Sequence, residues 1–509
     1  MSYLLGIDIG TSGTKTVIFD SQGNSIASAT EEYPLYQPEI GWAEQDPGDW
    51  WNAVCSTIRA VLSKGNVKAE SIKSIGLSGQ MHGLVMLDQN NEVLRKAILW
   101  CDQRTDKECI EITNRVGAKR LIEITANPAL TGFTASKILW VRNNERAVFE
   151  KCKKILLPKD YIRYMLTGEF ATEVSDASGM QLLDIKERKW SDEVLQKLEI
   201  PKELLGEVYE SVEISGRLNK KAADITRLAE NTPVAGGGGD QAAGAVGNGI
   251  VKEGVISSTI GTSGVVFAHL NKPIIDELGR VHTFCHAVPG AWHVMGVTQG
   301  AGLSLKWFRD NFCTSEIEAS KYMEADPYIL MDEQAKKVPA GSKGIIYLPY
   351  MMGERTPHLD PRARGVFFGL SAAHTRRDMI RAVMEGVSYS LLDCMEIIKN
   401  MGIVPQNVMV SGGGGKSSLW RQIQADMFAC PVSTNKSSEG PALGAALIAG
   451  VGAGVYKDLN EACDIAIVTK SIQSPEEQSV NIYKKNYPLY QKLYIDLKDS
   501  FKLAYEINK

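Results

Sequence analysis

Leu4-Leu5-Gly6-Ile7-Asp8-Ile9-Gly10-Thr11-Ser12-Gly13-Thr14-Lys15-Thr16-Val17-Ile18-Phe19-Asp20 reads as two short apolar runs joined by a Gly-rich turn, the pattern of a β-hairpin. Its central tetrapeptide recurs half a chain later as Gly261-Thr262-Ser263-Gly264, again flanked by apolar runs, Val255 to Ile260 and Val265 to Phe267. A strand, turn and strand unit repeated at that offset points to two related α/β domains facing each other across a cleft. The boundary is expected near 245, giving domains 1–245 and 246–509, with the Gly236 to Gly239 run as the crossing point and a hinge over 236–250.

Working outward, a third strand is expected after the Ser21 to Asn24 turn. A helix should start at Asp46-Pro47, where Asp46 suits an N-cap and Pro47 the first turn, and run past Trp50, Val54 and Ile58. Such segments alternate throughout, which is mixed α/β with short connections. Pro441 to Val455 is apolar but shorter than the roughly 20 residues of a membrane span, so it reads as a packed helix.

Composition bounds the function. The 509 residues are 44% hydrophobic and 23% charged, which excludes a disulfide scaffold and a disordered chain. With 56 basic and 60 acidic side chains the net charge is −4, so neither a nucleic-acid nor a membrane partner is expected. Nine cysteines, an odd number without a CxxC pair, read as reduced thiols of a cytoplasmic protein. No basic region precedes the apolar residues of the N-terminus, since the first lysine is Lys15, and a signal peptide is not expected.

Gly- and Thr/Ser-rich turns can hold phosphate, because glycine lets backbone N–H groups converge on an anion. Four segments fit, 10–13, 236–239, 261–264 and 412–415, although each alone is also compatible with a tight turn. Gly415-Lys416-Ser417 fails the Walker A spacing at Val410, and 234–249 contains no GxGxxG, so neither a P-loop nor a dinucleotide fold is expected. Asp8, just before the first turn, can hold Mg²⁺ on a phosphate or cap the turn. Asp240, after four glycines and before Gln241-Ala242-Ala243, can accept a hydroxyl proton or cap a helix. His82 lies in the Gly-flanked loop Ser78 to Gly83, and Trp100, Asp102 and Arg104 combine groups suited either to a polyol or to an ion pair beside a core tryptophan. His282 and His286 have helical metal spacing, but no acidic residue lies between them, and metal is not expected there.

Together these residues resemble the FGGY family of carbohydrate kinases. Gly132-Phe133-Thr134-Ala135-Ser136-Lys137-Ile138-Leu139-Trp140 is similar to the family's first signature. Gly365-Val366-Phe367-Phe368-Gly369-Leu370, followed after seven residues by Asp378 to Glu385, is similar to the second. The resemblance implies two ribonuclease H-like domains of actin/Hsp70 type around a catalytic cleft, with ATP and Mg²⁺ as cofactors. Segments 78–83, 98–104, 157–161 and 353–358 are most similar to members acting on D-xylulose, implying γ-phosphoryl transfer to its O5. Another ketose or polyol (L-ribulose, glycerol, gluconate) is the alternative, and a noncatalytic ATP-driven conformational protein a more remote one. By the same resemblance Asp240 is the general base, Asp8 the Mg²⁺-linked carboxylate, and Met81 and His82 the sugar-contacting pair. Gln241 stands where many such members have asparagine. Thr11, Ser12, Gly13 and Lys15 fall on the first phosphate turn, Gly261 and Thr262 on the second, and Gly302, Lys306, Gly413 and Ser417 around the nucleotide. The amphipathic stretch 476–509 suits an intramolecular clamp or a homodimer face.

Overall fold

A computed structural model describes residues 2–437 and 439–507. Strand β1 (Tyr3–Ile9) pairs antiparallel with β2 (Gly13–Asp20), and β2 with β3 (Ser25–Glu32). On the other side of β1 lies β4 (Ile72–Gly79), parallel to it. Beyond β4 come β5 (Ile214–Arg217) and β6 (Pro233–Ala235), β6 parallel to β4 and β5 antiparallel at the edge. The two residues of β7 (Gly238–Gly239) pair with the end of β4.

The second sheet repeats this plan. Strand β8 (Val255–Ile260) pairs antiparallel with β9 (Gly264–Leu270), which continues antiparallel into β11 (Trp292–Thr298), with β10 (His282–Cys285) added outside. On the opposite side β12 (Asn407–Gly412) and β13 (Val432–Asn435) are parallel, and β14 (Thr469–Gln473) closes antiparallel. The recurring tetrapeptide is thus the hairpin turn of two sheets that share a core of three antiparallel and two parallel strands and differ at their edges.

Alternation in the first hairpin buries both faces. Leu5, Ile7, Ile9 and Ile18 join the core beneath helix α1 (Pro47–Gly65), and Leu4, Val17 and Phe19 join a second core behind the sheet. The Asp46 carboxylate accepts from the Gly48 N–H at 2.9 Å and starts α1 as the sequence predicts, burying Trp50, Val54, Ile58 and Val61. Helices α2 (Pro158–Thr167) and α3 (Val174–Ser178) lie under the end of the first sheet, and α4 (Asp240–Gly247) leaves it. The second sheet carries α5 (Ala301–Phe312), α6 (Pro327–Ala335), α7 (Arg376–Asn400) and α8 (Ser418–Phe428).

Helix α9 (Gly440–Gly452), coded late in the chain, packs on the first sheet. A Cβ on Gly6 would stand 2.0 Å from Ala442 O and one on Gly76 1.8 Å from Ala445 O, so only glycine permits this approach. The Gly236 to Gly239 run is not the free crossing segment expected. Gly237, at φ +73°, is pressed where a Cβ would meet Leu77 O at 2.1 Å, and the run is held against the first sheet. The crossing follows α4 instead. Helix α10 (Glu477–Ile507) clamps the second core through Tyr483, Tyr490, Leu493 and Phe501, with the Tyr483 hydroxyl donating to Glu385 Oε1 at 2.9 Å. No helix among the described residues is long and apolar enough to cross a membrane.

Candidate active site

Strand pairing brings Asp8 and Asp240 together. Asp8 of β1 is in register with Ser78 of β4, and Gly239, the residue before Asp240, is in register with Gly79. The Ser78 hydroxyl donates to Asp8 Oδ1 at 2.8 Å. Burial pushes the Asp8 carboxyl above its usual range, opposed by Ser78 and the Lys15 charge. Asp240 is pushed up to about 7, first by loss of water and then by the charge of Asp8, while its bonds from Gln241 pull it down. Gln241 Nε2 donates to Asp240 Oδ1 at 3.4 Å. A carboxyl raised toward neutrality at a helix start is matched to accepting a proton.

His82, at φ +68°, follows β4. Burial and the Lys137 charge lower its pKa to about 3, so the ring is neutral. Nδ1 lies 2.8 Å from Gly179 O, which requires its proton there and leaves Nε2 as an acceptor. Phe133 and Phe284 stand 4.9 and 6.2 Å away, centroid to centroid. Met81 is buried beneath Gly239, where a Cβ would lie 3.0 Å from its sulfur. Trp100 is 46% exposed and its Nε1–H donates to Thr11 Oγ1 at 3.0 Å, joining the aromatic loop to the first turn. Ser12 is exposed at the tip of that turn, Gly10 N–H closes it on Gly13 O at 3.1 Å, and Lys15 Nζ pairs with Glu439.

Asp102 and Arg104 depart from the expected polyol role. Their side chains are 0% and 1% exposed and bonded to each other, with Asp102 also accepting from Ala43 N and Arg104 donating to Glu44. The guanidinium lies over Trp42 at 3.6 Å and Trp140 at 4.9 Å. The pair is scaffold, because both charges are consumed in holding the 42–45 loop against 100–105.

The second turn opens on a cavity of about 530 Å³. Gly261, Thr262, Gly302, Lys306, Gly413 and Ser417 all line it. Gly302 N–H donates to Gly261 O at 2.8 Å and Leu303 N–H to Thr262 O at 3.1 Å, seating the start of α5 on the turn. Ser417 caps α8 by accepting from Trp420 N at 3.0 Å. Lys306 is paired with Asp310 at 2.9 Å on the outer side. Asp326, Tyr328, Ile329 and Asp332 of α6 complete the wall; the sequence marks that helix start through Asp326-Pro327 but gives no sign that it faces a cavity. Sequence reading also passes over Arg355, whose charge lowers the pKa values of His82 and His282 and whose guanidinium has no hydrogen-bond or ion-pair partner among the described residues.

The core that the two sheets share is that of the ribonuclease H-like, actin/Hsp70 fold, and the carboxylate pair on the first and the cavity behind the turn of the second fit a phosphotransferase. The chain belongs to the FGGY family of carbohydrate kinases: residues 3–247 match its N-terminal domain and 256–453 its C-terminal domain. It is a sugar kinase, with ATP as phosphoryl donor. It is 39% identical to the xylulose kinase of Bacillus subtilis (strain 168) over 98% of both chains. It is also 39% identical to that of Escherichia coli (strain K12), over 97% of this chain and 99% of the other. The crystal structure of ligand-bound xylulose kinase from Lactobacillus acidophilus superposes with a TM-score of 0.91 at 29% identity, covering 99% of each chain.

Proposed function

We propose that the protein transfers the γ-phosphoryl group of ATP to O5 of D-xylulose, giving D-xylulose 5-phosphate and ADP. The observation carrying this reading is the placement of Asp8 and Asp240 at the ends of the two strands that flank β4, where loss of water and the Asp8 charge raise the Asp240 carboxyl to about 7. Asp240 accepts the O5 proton as O5 attacks the γ-phosphorus and the bond to the β-γ bridging oxygen breaks. Neutral His82 accepts a sugar hydroxyl proton in a hydrogen bond at Nε2, Trp100 offers an exposed aromatic face, and Met81 and Gln241 shape the pocket around Asp240. Thr11, Ser12, Gly13 and Lys15 meet the phosphates from one side. Gly261 and Thr262 meet them from the other, with Gly302, Lys306, Gly413 and Ser417 around the base and ribose.

Asp8 fits Mg²⁺. One oxygen is taken by Ser78, and among the described residues the other has no hydrogen bond. No cluster of three or more metal-ligating side chains exists among those residues, so the ion would be shared with phosphate oxygens and water. Bound there, Mg²⁺ neutralises phosphate charge. The lobes 1–245 and 246–509 close over the substrates and exclude water, in the cytoplasm where ATP and reduced thiols coexist. Exposed Leu489, Ile495 and Leu503 on α10 are the surface a second copy would cover.

The test is ADP release with Mg-ATP and D-xylulose, L-ribulose, D-ribulose, glycerol, gluconate or no sugar. Stimulation by D-xylulose alone supports the reading. A different preferred polyol keeps the transfer and moves specificity to Gln241 and the 78–104 loops. Sugar-independent turnover overturns it.

A further inference from the structure

The four glycines before Asp240 have no side chains to pack, and glycine loses more chain freedom on ordering than any other residue. Something outside the run must fix it if the carboxylate is to stay in place. Beneath it lie five ionisable side chains, Lys159, Asp160, Arg163, Glu173 and Asp176, each at most 1% exposed. Burying so many charges is costly and persists only with dense pairing. Lys159 Nζ lies 2.8 Å from Asp160, 3.3 Å from Glu173 and 3.2 Å from Asp176. Arg163 donates to Asp160 and to Gly236 O. Glu173 accepts from the Ser175 hydroxyl at 2.9 Å and the Ser211 hydroxyl at 2.7 Å, and Ser175 Oγ in turn accepts from Gly239 N–H at 3.1 Å. The Gly238–Gly239 peptide, one peptide unit before the one that enters Asp240, is therefore held by Ser175 as well as by its pairing with β4.

The far end of the same short segment reaches the sugar side. Gly179 O accepts the Nδ1 proton of His82, and a Cβ at 179 would stand 2.4 Å from that ring. Ser178 Oγ accepts from Cys285 N–H of β10 at 3.1 Å, touching the second sheet.

We infer that the segment Glu173 to Gly179 is a bracket that fixes Asp240 and His82 relative to each other, with Ser175 as the positioning residue at the base end and Gly179 at the sugar end. This rests on the reaction proposed above. A misplacement of about 1 Å at a reacting group can cost about 10²-fold in rate, so a bracket of this kind governs turnover without touching substrate.

Ser175→Ala in the full chain removes one hydroxyl and leaves every buried charge in place. The expected result is a kcat about 10-fold or more below wild type, a D-xylulose KM within about 3-fold, and a displaced pH inflection of kcat. Gly179→Ala is expected to raise the D-xylulose KM and leave that inflection in place. Ser211→Ala, one bond further out on Glu173, should repeat the Ser175→Ala result at smaller size and serves if that variant folds poorly. Wild-type kcat and pH inflection in Ser175→Ala overturn the bracket, as does an identical loss in both variants that tracks a falling Tm. A second readout needs no turnover: the pH-dependent stability difference between the wild type and Asp240→Asn, repeated with Ser175→Ala in both. An unchanged difference overturns the bracket even if D-xylulose is not the substrate, whereas a silent wild type in the kinase assay overturns only the reaction.

Discussion

Lys15 Nζ stands 2.5 Å from Glu439 Oε2, an ion pair that ties the first Gly-rich hairpin to the loop opening α9. Lys15 keeps 38% of its side chain exposed, and pairs this open contribute about 0.2–1 kcal/mol. A triphosphate carries far more negative charge than one glutamate and should draw the ammonium away. Lys15→Met is therefore expected to lower kcat by about 10² to 10³-fold, the loss typical of one removed transition-state donor. D-xylulose affinity by calorimetry and Tm should both stay near wild type. A kcat within about 3-fold of wild type would remove Lys15 from phosphoryl transfer.

The pH dependence follows from two groups with opposite settings. Asp240, near 7, must lose its proton to act as base, so kcat/KM should rise through about pH 7 to a plateau. His82, near 3, stays neutral throughout and adds no inflection at 6.5. The stability sign is also fixed. Between about pH 4 and 7 the folded state holds a proton on Asp240 that the unfolded chain has released, so this group makes stability fall as pH rises. Asp240→Asn removes that dependence; it should abolish turnover while raising Tm at pH 8 more than at pH 4. A Tm gain independent of pH would contradict the assignment.

The hairpins, the α1 cap and the recurring turn were legible because each depends on local chemistry: alternation, an Asx cap, glycine at a tight bend. The Asp8 and Asp240 positions were legible for the same reason, each lying beside such a turn. The packing of α9 on the first sheet was not, since Gly6 and Gly76 announce a close approach without naming what approaches. Nor was the fate of Arg104, because a guanidinium two residues from a carboxylate looks alike in sequence whether it meets a sugar or is buried between Trp42 and Trp140.

That burial makes a separable prediction. Asp102→Ala strands the Arg104 charge with only Glu44 for company and leaves Ala43 N–H without its acceptor. Removing one partner of a buried pair costs about 3–5 kcal/mol. Denaturant titration should show a loss of that size, while the D-xylulose KM of the folded fraction stays within about 3-fold. A large KM increase with stability intact would return the pair to the substrate site.

Arg355 should behave in the opposite way. Its guanidinium has no hydrogen-bonding or ionic partner among the described residues, the residue is half-buried, and desolvation, opposed by Glu354, pushes it below its usual pKa. Glu354 itself is occupied by Thr298 at 2.7 Å and by the backbone N–H groups of Gln299 and Arg355. A partly desolvated charge without a partner adds little to the fold, yet it gives an incoming anion a strong, bidentate site. Because it lies close enough to His82 to lower that ring's pKa, the anion expected to reach it is the phosphoryl group carried by the sugar. Arg355→Gln is therefore expected to weaken product inhibition by D-xylulose 5-phosphate by about 10-fold or more, the factor of about 1.4 kcal/mol that a charge-assisted bond supplies. Tm should hold or rise. Thermal melts with and without the sugar phosphate separate the two readings: a lower Tm in the free variant would make Arg355 part of the scaffold, and an unchanged inhibition constant would leave it without a ligand role.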